Sequence, residues 1–288
     1  MNLSSEGFIP VEGGNVYYRK VAGGPGTPLL VLHGGPGFAH GLLETLKALS
    51  NERPVIFYDQ LGAGKSDRPK DPSLWQIERF VRELAQVRQS LGLDRVVLYG
   101  HSWGTMLAVD YMLTAPRGVE ALILSSPCLS AKMWKSDADR LRLTLSTETQ
   151  ATLIRHETAG STHSEEYQNA MWDYLKKFAC RLDPIPEAVL AAFADGNMEC
   201  YTQMWGPSEF HPTGNLKDYD RTPDLHRLQV PTYFVCGEFD EATPESTRKY
   251  AELAKARDFR VIPDCSHSAL IENEGDYLKI IRDFCNIN

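Results

Sequence analysis

The chain has 288 residues, 42% of them apolar and 24% charged. This is an ordinary globular composition, one that excludes a disordered polymer and suffices to bury a full core without disulfide staples. Thirty Lys and Arg stand against 38 Asp and Glu, a formal net charge of -8 that argues against a nucleic-acid partner. In chain order, Gly7 to Val11 and Val16 to Arg19 flank Glu12-Gly13-Gly14 and predict a β-hairpin. Continuous apolar runs at 28–32 and 54–58 read as buried strands. Helical periodicity covers Leu74 to Leu91, with Ile77, Phe80, Val81, Leu84 and Val87 on one face. A strand at 95–99 leads into Gly100, a helix runs on to about Ala115 before Pro116, and a strand follows at 121–124.

The strand–helix alternation then breaks. From Ala131 to Asp220 the pattern is helix-like, with no convincing strand. It resumes with a strand at 232–236, a helix from Pro244 to about Lys255, a strand at 259–262 and a helix from Gly275 to Phe284. The expected fold class is α/β: a mostly parallel sheet with helices on both faces, residues 1–130 and 221–288, interrupted by a helical cap, 131–220. Such an insertion sits over the carboxyl ends of the strands, where α/β proteins place ligands. Met1 to Gly7 has no basic segment followed by an apolar run, and 18 apolar residues never run together, so neither a signal peptide nor a membrane span is expected. The six cysteines are scattered, with no C-x-x-C pair, which predicts a reduced, cytoplasmic protein without a zinc site.

The strongest chemical signal is Gly100-His101-Ser102-Trp103-Gly104, a G-x-S-x-G between a strand and a helix. A serine on that sharp turn exposes its hydroxyl above the sheet. Small residues two before and two after relieve the crowding, and the helix N-terminus favours developing negative charge. The serine needs a base and the base an orienting acid, in the order Ser, acid, His. His267, in the loop 263–268, is the one histidine beyond the last strand. Asp240 is the preferred acid in the loop after the 232–236 strand, with Glu238 and Glu241 as rivals. The oxyanion donors are assigned to the backbone N–H groups of Trp103 and Gly35, with Gly34 as the substitute for Gly35. Gly62-Ala63-Gly64-Lys65-Ser66 looks like the end of a phosphate-binding loop, but that motif needs glycine where Asp59 stands, so nucleotide binding is rejected.

Three segments together carry a resemblance: His33-Gly34-Gly35-Pro36-Gly37, Asp59-Gln60-Leu61-Gly62-Ala63-Gly64-Lys65-Ser66 and the Ser102 pentapeptide. In order and spacing they resemble the proline iminopeptidase family of α/β hydrolases, over essentially the whole chain. One departure is Leu61, where many members carry arginine. The resemblance implies a serine aminopeptidase that releases N-terminal proline from small peptides through an acyl-enzyme. It implies no cofactor and no metal. It also implies that Glu209, in Gly206-Pro207-Ser208-Glu209-Phe210, and Glu241, directly after the acid, bind the free α-amino group of the substrate. Tyr201, Trp205, Trp134 and Trp172 are candidates for an apolar wall. The partner is then a small peptide or aminoacyl substrate with a free amino terminus, with no nucleic acid and no membrane. An amino-acid amidase or esterase, and a ligand-binding protein without turnover, are the rival readings.

Overall fold

The computed structural model describes residues 4–286; Met1 to Leu3, the head of the segment read for a leader, lie outside the described residues. Among these residues eight strands form one sheet in the order β1-β2-β4-β3-β5-β6-β7-β8. The hairpin β1 (Ser5–Val11) and β2 (Gly14–Val21) is antiparallel and joins β4 (Val55–Tyr58) antiparallel. From there β3 (Leu29–Leu32), β5 (Val96–His101), β6 (Val119–Ser125), β7 (Thr232–Gly237) and β8 (Asp258–Ile262) run parallel. The fully buried β3, β4 and β5 explain their unbroken apolar runs, since both faces are covered by helices.

The helices are α1 (Ile77–Ser90), α2 (Trp103–Leu113), α3 (Ala131–Arg142), α4 (Thr147–Ala159), α5 (Glu165–Phe178), α6 (Glu187–Asp195), α7 (Met198–Met204), α8 (Pro244–Leu253), α9 (Ala269–Glu272) and α10 (Glu274–Cys285). Ser130, Ser146, Ser164 and Asn197 cap α3, α4, α5 and α7 by accepting a backbone N–H from three residues on. The apolar pattern marks no element between 38 and 53, where a 3-10 helix spans His40–Asn51. Its buried leucines, 43, 46 and 49, repeat every three residues, the 3-10 period and not the 3.6 of an α-helix.

Two cores lie on the two faces of the sheet, and the alternation of side chains decides which strand residue joins which. Leu30, Leu32, Ile56, Leu98 and Leu124 pack under α1 and α2, whereas Leu29, Val31, Phe57, Val97 and Ile123 pack under α10. The helical insertion has a third cluster of its own, built from residues such as Leu153, Tyr167, Tyr174 and Phe210. Its α7 and neighbouring Trp205, Leu216 and Tyr219 instead join the core over α2. The chain leaves and re-enters the sheet layer through a neck at Ser130 and Asp220, an isolated antiparallel bridge. Ala131 N–H donates to Tyr219 O at 2.8 Å and Arg221 N–H to Leu129 O at 2.9 Å.

The Asp59–Ser66 segment is a structural hub. Asp59 accepts hydrogen bonds from His40 N–H (3.1 Å), His40 Nδ1 (2.6 Å) and Lys65 N–H (3.0 Å). Ser66 Oγ donates to Asp59 O and accepts from Tyr17 N–H, tying the loop to β2. Gly64 has φ +49°, and a Cβ there would stand 2.3 Å from the Asp59 carboxylate. Leu61, the departing position, is fully buried, and its N–H points at the Glu83 carboxylate on α1. Glu83 also accepts from Arg79 at 2.6 Å, both side chains being buried.

That pair yields a stability contrast within one helix. Arg79→Leu leaves the Glu83 carboxylate buried without its cation and is expected to cost about 3–5 kcal/mol. Arg82→Ala breaks an exposed pair with Glu12 and is expected to cost less than about 1 kcal/mol. Urea unfolding of both variants measures the difference; equal midpoints would contradict the account.

Candidate active site

Ser102 sits between β5 and α2 with φ 54° and ψ -123°, a backbone conformation an L-residue resists. The flanking glycines make the turn possible. A Cβ on Gly100 would stand 2.4 Å from Gly104 O, and one on Gly104 would stand 2.2 Å from Leu32 O. The turn is held by Ser102 N–H donating to Ser125 O at 3.1 Å and by Thr105, whose N–H and Oγ1 both donate to Ser102 O.

Asp240, on the loop after β7, is 1% exposed. Its Oδ1 accepts from His267 Nδ1 and from Ala242 N–H, each at 2.8 Å. Its Oδ2 accepts from Ser126 Oγ at 2.6 Å and Gly237 N–H at 3.3 Å. The rivals are placed differently. Glu238 is exposed and accepts from Asp264 N–H. Glu241 Oε1 lies 4.0 Å from His267 Nδ1, whose hydrogen bond goes to Asp240. Burial works to lower the pKa of His267, but the Asp240 charge and hydrogen bond, with Glu241 and Glu209, outweigh it and raise the imidazole to about 9. Behind it, the buried His101 ring stands 4.8 Å away. Burial and the His267 charge push His101 well below the usual histidine range, so it stays neutral.

The glycine loop after β3 is joined to the serine turn by a side chain that sequence reasoning placed only within a motif. Gln60 N–H donates to His33 Nε2 at 2.8 Å, and Gln60 Nε2 donates to His33 O at 3.1 Å. Gln60 Oε1 accepts from the Trp103 indole at 2.8 Å. His33 Nδ1 donates to Gly34 O at 2.8 Å. This donor–acceptor pattern needs a neutral imidazole, and burial lowers its pKa to about 4. Gly35 takes φ +118°, and a Cβ on Gly34 would stand 3.2 Å from Ser102 Cβ. Gly35, Ser102 and Trp103 line a small pocket together with Trp134, Trp205 and Glu209.

Ser102, His267, Glu209 and Glu241 all line one larger cavity, with Gly34 and Gly35. Glu241 is buried, and its Oε2 has no hydrogen-bond partner among the described residues. Burial first, then the neighbouring Glu209 charge, push Glu241 well above the usual carboxylate range. Glu209 is also pushed up by burial, with Tyr201 and His267 acting against it. The indoles of Trp134 and Trp205 both donate to Glu209 O, at 2.8 and 3.2 Å, and so fix its place. Of the four candidate aromatics, Trp134 and Trp205 therefore stand beside Ser102, while Tyr201 and Trp172 line an adjoining cavity within the helical insertion. The end of α5 closes the arrangement: Phe178 O accepts from His267 N–H at 3.1 Å and Glu241 N–H at 3.3 Å, and Ala179 O accepts from Ser268 N–H at 2.9 Å. Nothing in local sequence pattern signals these contacts.

Residues 27–274 match the family model described as the alpha/beta hydrolase fold. The chain belongs to that family. It is 49% identical to the proline iminopeptidase of Heyndrickxia coagulans, with 99% of each chain covered. In three dimensions it is similar to the proline iminopeptidase of Mycobacterium smegmatis, with a TM-score of 0.88, 31% identity and 98% and 97% of the two chains covered. It is also similar to VinJ, with a TM-score of 0.92, 33% identity and 98% of each chain covered. Within the α/β hydrolases, the chain is a member of the proline iminopeptidase family.

The charge balance around His267 is open to a direct test. Its imidazole resonance should titrate near pH 9 in an NMR pH series. In Asp240→Asn the midpoint should fall, because the charge and hydrogen bond that do most to oppose burial are then removed. A midpoint unchanged by the substitution would show that Asp240 does not set it.

Proposed function

We propose that the protein is a serine aminopeptidase that releases an N-terminal residue, preferentially proline, from small peptides. The observation that carries this reading is the shared cavity: a nucleophile on a strained turn, an aspartate-bound histidine and two buried glutamates face one space in a chain 49% identical to a proline iminopeptidase. Ser102 Oγ attacks the carbonyl carbon of the first residue while His267 Nε2 takes its proton. Asp240 holds Nδ1 and balances the imidazolium. The N–H groups of Trp103 and Gly35 receive the developing oxyanion. His267 then gives the proton to the leaving amine, the C–N bond breaks, and an acyl-enzyme remains. A water molecule, deprotonated by His267, attacks the acyl carbon and frees the amino acid and Ser102.

Glu209 and Glu241 bind the ammonium group of the substrate. Two carboxylates held in one buried place raise each other's cost of ionisation, and a cation between them removes it through charge-assisted hydrogen bonds. Trp134 and Trp205 give the first side chain an apolar wall. Residues 131–220 form a cap over the site, supported by their own apolar cluster, the neck at Ser130 and Asp220, and the contacts of Phe178 and Ala179. No helix among the described residues is long and apolar enough to cross a membrane.

Ser102→Ala is expected to lose about 10⁴-fold or more in kcat without unfolding. Glu209→Gln and Glu241→Gln should each lower kcat/KM for free-amine substrates by roughly 10²- to 10³-fold and spare p-nitrophenyl acetate. Steady-state kinetics on N-acetylated and free prolyl substrates decides between this reading and a general esterase; equal rates would overturn amine recognition. Turnover also needs one proton shared between two groups: His267 neutral and the substrate amine charged. With the imidazole at about 9 and a peptide amine at about 7.7–8.0, kcat/KM should be bell-shaped with its maximum between about pH 8 and 9. A maximum at or below pH 7 would contradict this.

A further inference from the structure

We infer that His33 is a positioning residue for acyl transfer: its Nδ1–H holds the peptide between Gly34 and Gly35 so that the Gly35 N–H meets the oxyanion formed at Ser102. This rests on the serine-hydrolase reading, with Gly35 as the second oxyanion donor. A peptide unit flanked by two glycines has little to fix its orientation, because no Cβ on either side resists rotation. Both glycines are required here. Gly35 takes φ +118°, which a side chain would oppose, and a Cβ on Gly34 would stand 3.2 Å from Ser102 Cβ. The loop passes the nucleophile so closely that larger residues are excluded, and a group outside its own backbone must hold it.

His33, fully buried, does so through both ring nitrogens. Nε2 accepts the Gln60 N–H at 2.8 Å, so the ring proton resides on Nδ1. Nδ1 then donates to Gly34 O at 2.8 Å. The Gly34–Gly35 peptide is trans, and in a trans peptide the C=O and the following N–H point in opposite directions. Gly34 O, drawn back to the His33 ring, therefore turns the Gly35 N–H away from that ring, and Gly35 lines both spaces that Ser102 lines. Burial lowers the imidazole to about 4, so the ring stays neutral through the pH range of turnover. The Gln60 side chain ties this lock to the other donor. Its Nε2 donates to His33 O at 3.1 Å, and its Oε1 accepts from the indole of Trp103 at 2.8 Å. His33 and Gln60 themselves line neither space, so they act through the residues they hold.

Two substitutions separate the ring nitrogens. An asparagine amide places a donor where Nδ1 stands, and a glutamine amide places an acceptor where Nε2 stands. His33→Gln keeps the contact with the Gln60 N–H and loses the hold on Gly34 O; His33→Asn does the reverse. On p-nitrophenyl acetate and prolyl p-nitroanilide, His33→Gln should lose roughly 10²- to 10³-fold in kcat, the effect of one missing oxyanion donor, with KM nearly unchanged. His33→Asn should recover most of that loss. Thermal unfolding ranks the two independently: His33→Asn leaves the Gln60 N–H buried without an acceptor, so it should be the less stable variant and yet the faster one. Activity that follows stability, with His33→Gln equal to or faster than His33→Asn, overturns the inference. If neither variant folds, ¹⁵N NMR of the histidine-labelled wild-type chain decides: a proton on His33 Nδ1 supports the inference, and a proton on Nε2 overturns it. The ester arm stands without the aminopeptidase reading. No prolyl turnover by the wild-type chain, with the difference between the two variants intact on the ester, would strike that reading alone; no turnover of either substrate would end both.

Discussion

The backbone at Ser102 is held in a conformation that costs an ordinary residue on the order of 1–3 kcal/mol, and the rest of the site is arranged around keeping it there. A positive φ between a strand and a helix lifts one hydroxyl clear of the sheet. It demands that β5, β3 and the first turn of α2 approach more closely than a Cβ allows, which Gly100 and Gly104 permit. It also needs both backbone groups of the serine satisfied, which Ser125 and Thr105 do. Because α2 is buried nearly all round, the strain is opposed by the packing of the central core and cannot relax by tilting the helix.

The second constraint is charge. Three carboxylates, Asp240, Glu209 and Glu241, act together on the buried imidazole of His267. Asp240 is fully engaged by four donors, so its position is fixed. Glu241 has an oxygen without a partner among the described residues, an expensive arrangement that burial and the neighbouring Glu209 charge answer by pushing its carboxyl well above the usual range. The helical insertion belongs to this balance. The carbonyl end of α5 accepts N–H groups from the His267 and Glu241 segments, and the negative end of a helix dipole favours a nearby imidazolium.

The motif around Asp59 has a different use, which is structural. Its aspartate, glycines and serine close a loop on β2 and the His40 helix, and the carboxylate stays away from Ser102. Only Gln60 reaches toward the chemistry, by locking the glycine loop and the Trp103 indole into one frame. The linear motif places these residues together, but it does not say which member turns toward the serine.

Local chemistry by itself determined a good deal of this protein. Strand runs, helix caps and the Ser102 turn are written in neighbouring residues, because apolar periodicity and glycine spacing act over a few bonds. The 3-10 helix at His40–Asn51 escaped because its period is three. Loop position already preferred Asp240, but its hydrogen bonds to Ser126, Gly237 and His267, which set it apart from Glu238 and Glu241, depend on the tertiary structure. The division of the aromatics, with Trp134 and Trp205 beside Ser102 and Trp172 in the adjoining cavity of the helical insertion, was decided only in three dimensions. So were the neutral His33 and His101 and the raised His267. Burial and the fields of charges brought from the loop after β7, the helical insertion and the last loops set those states, and such fields depend on distances between segments that lie far apart along the chain.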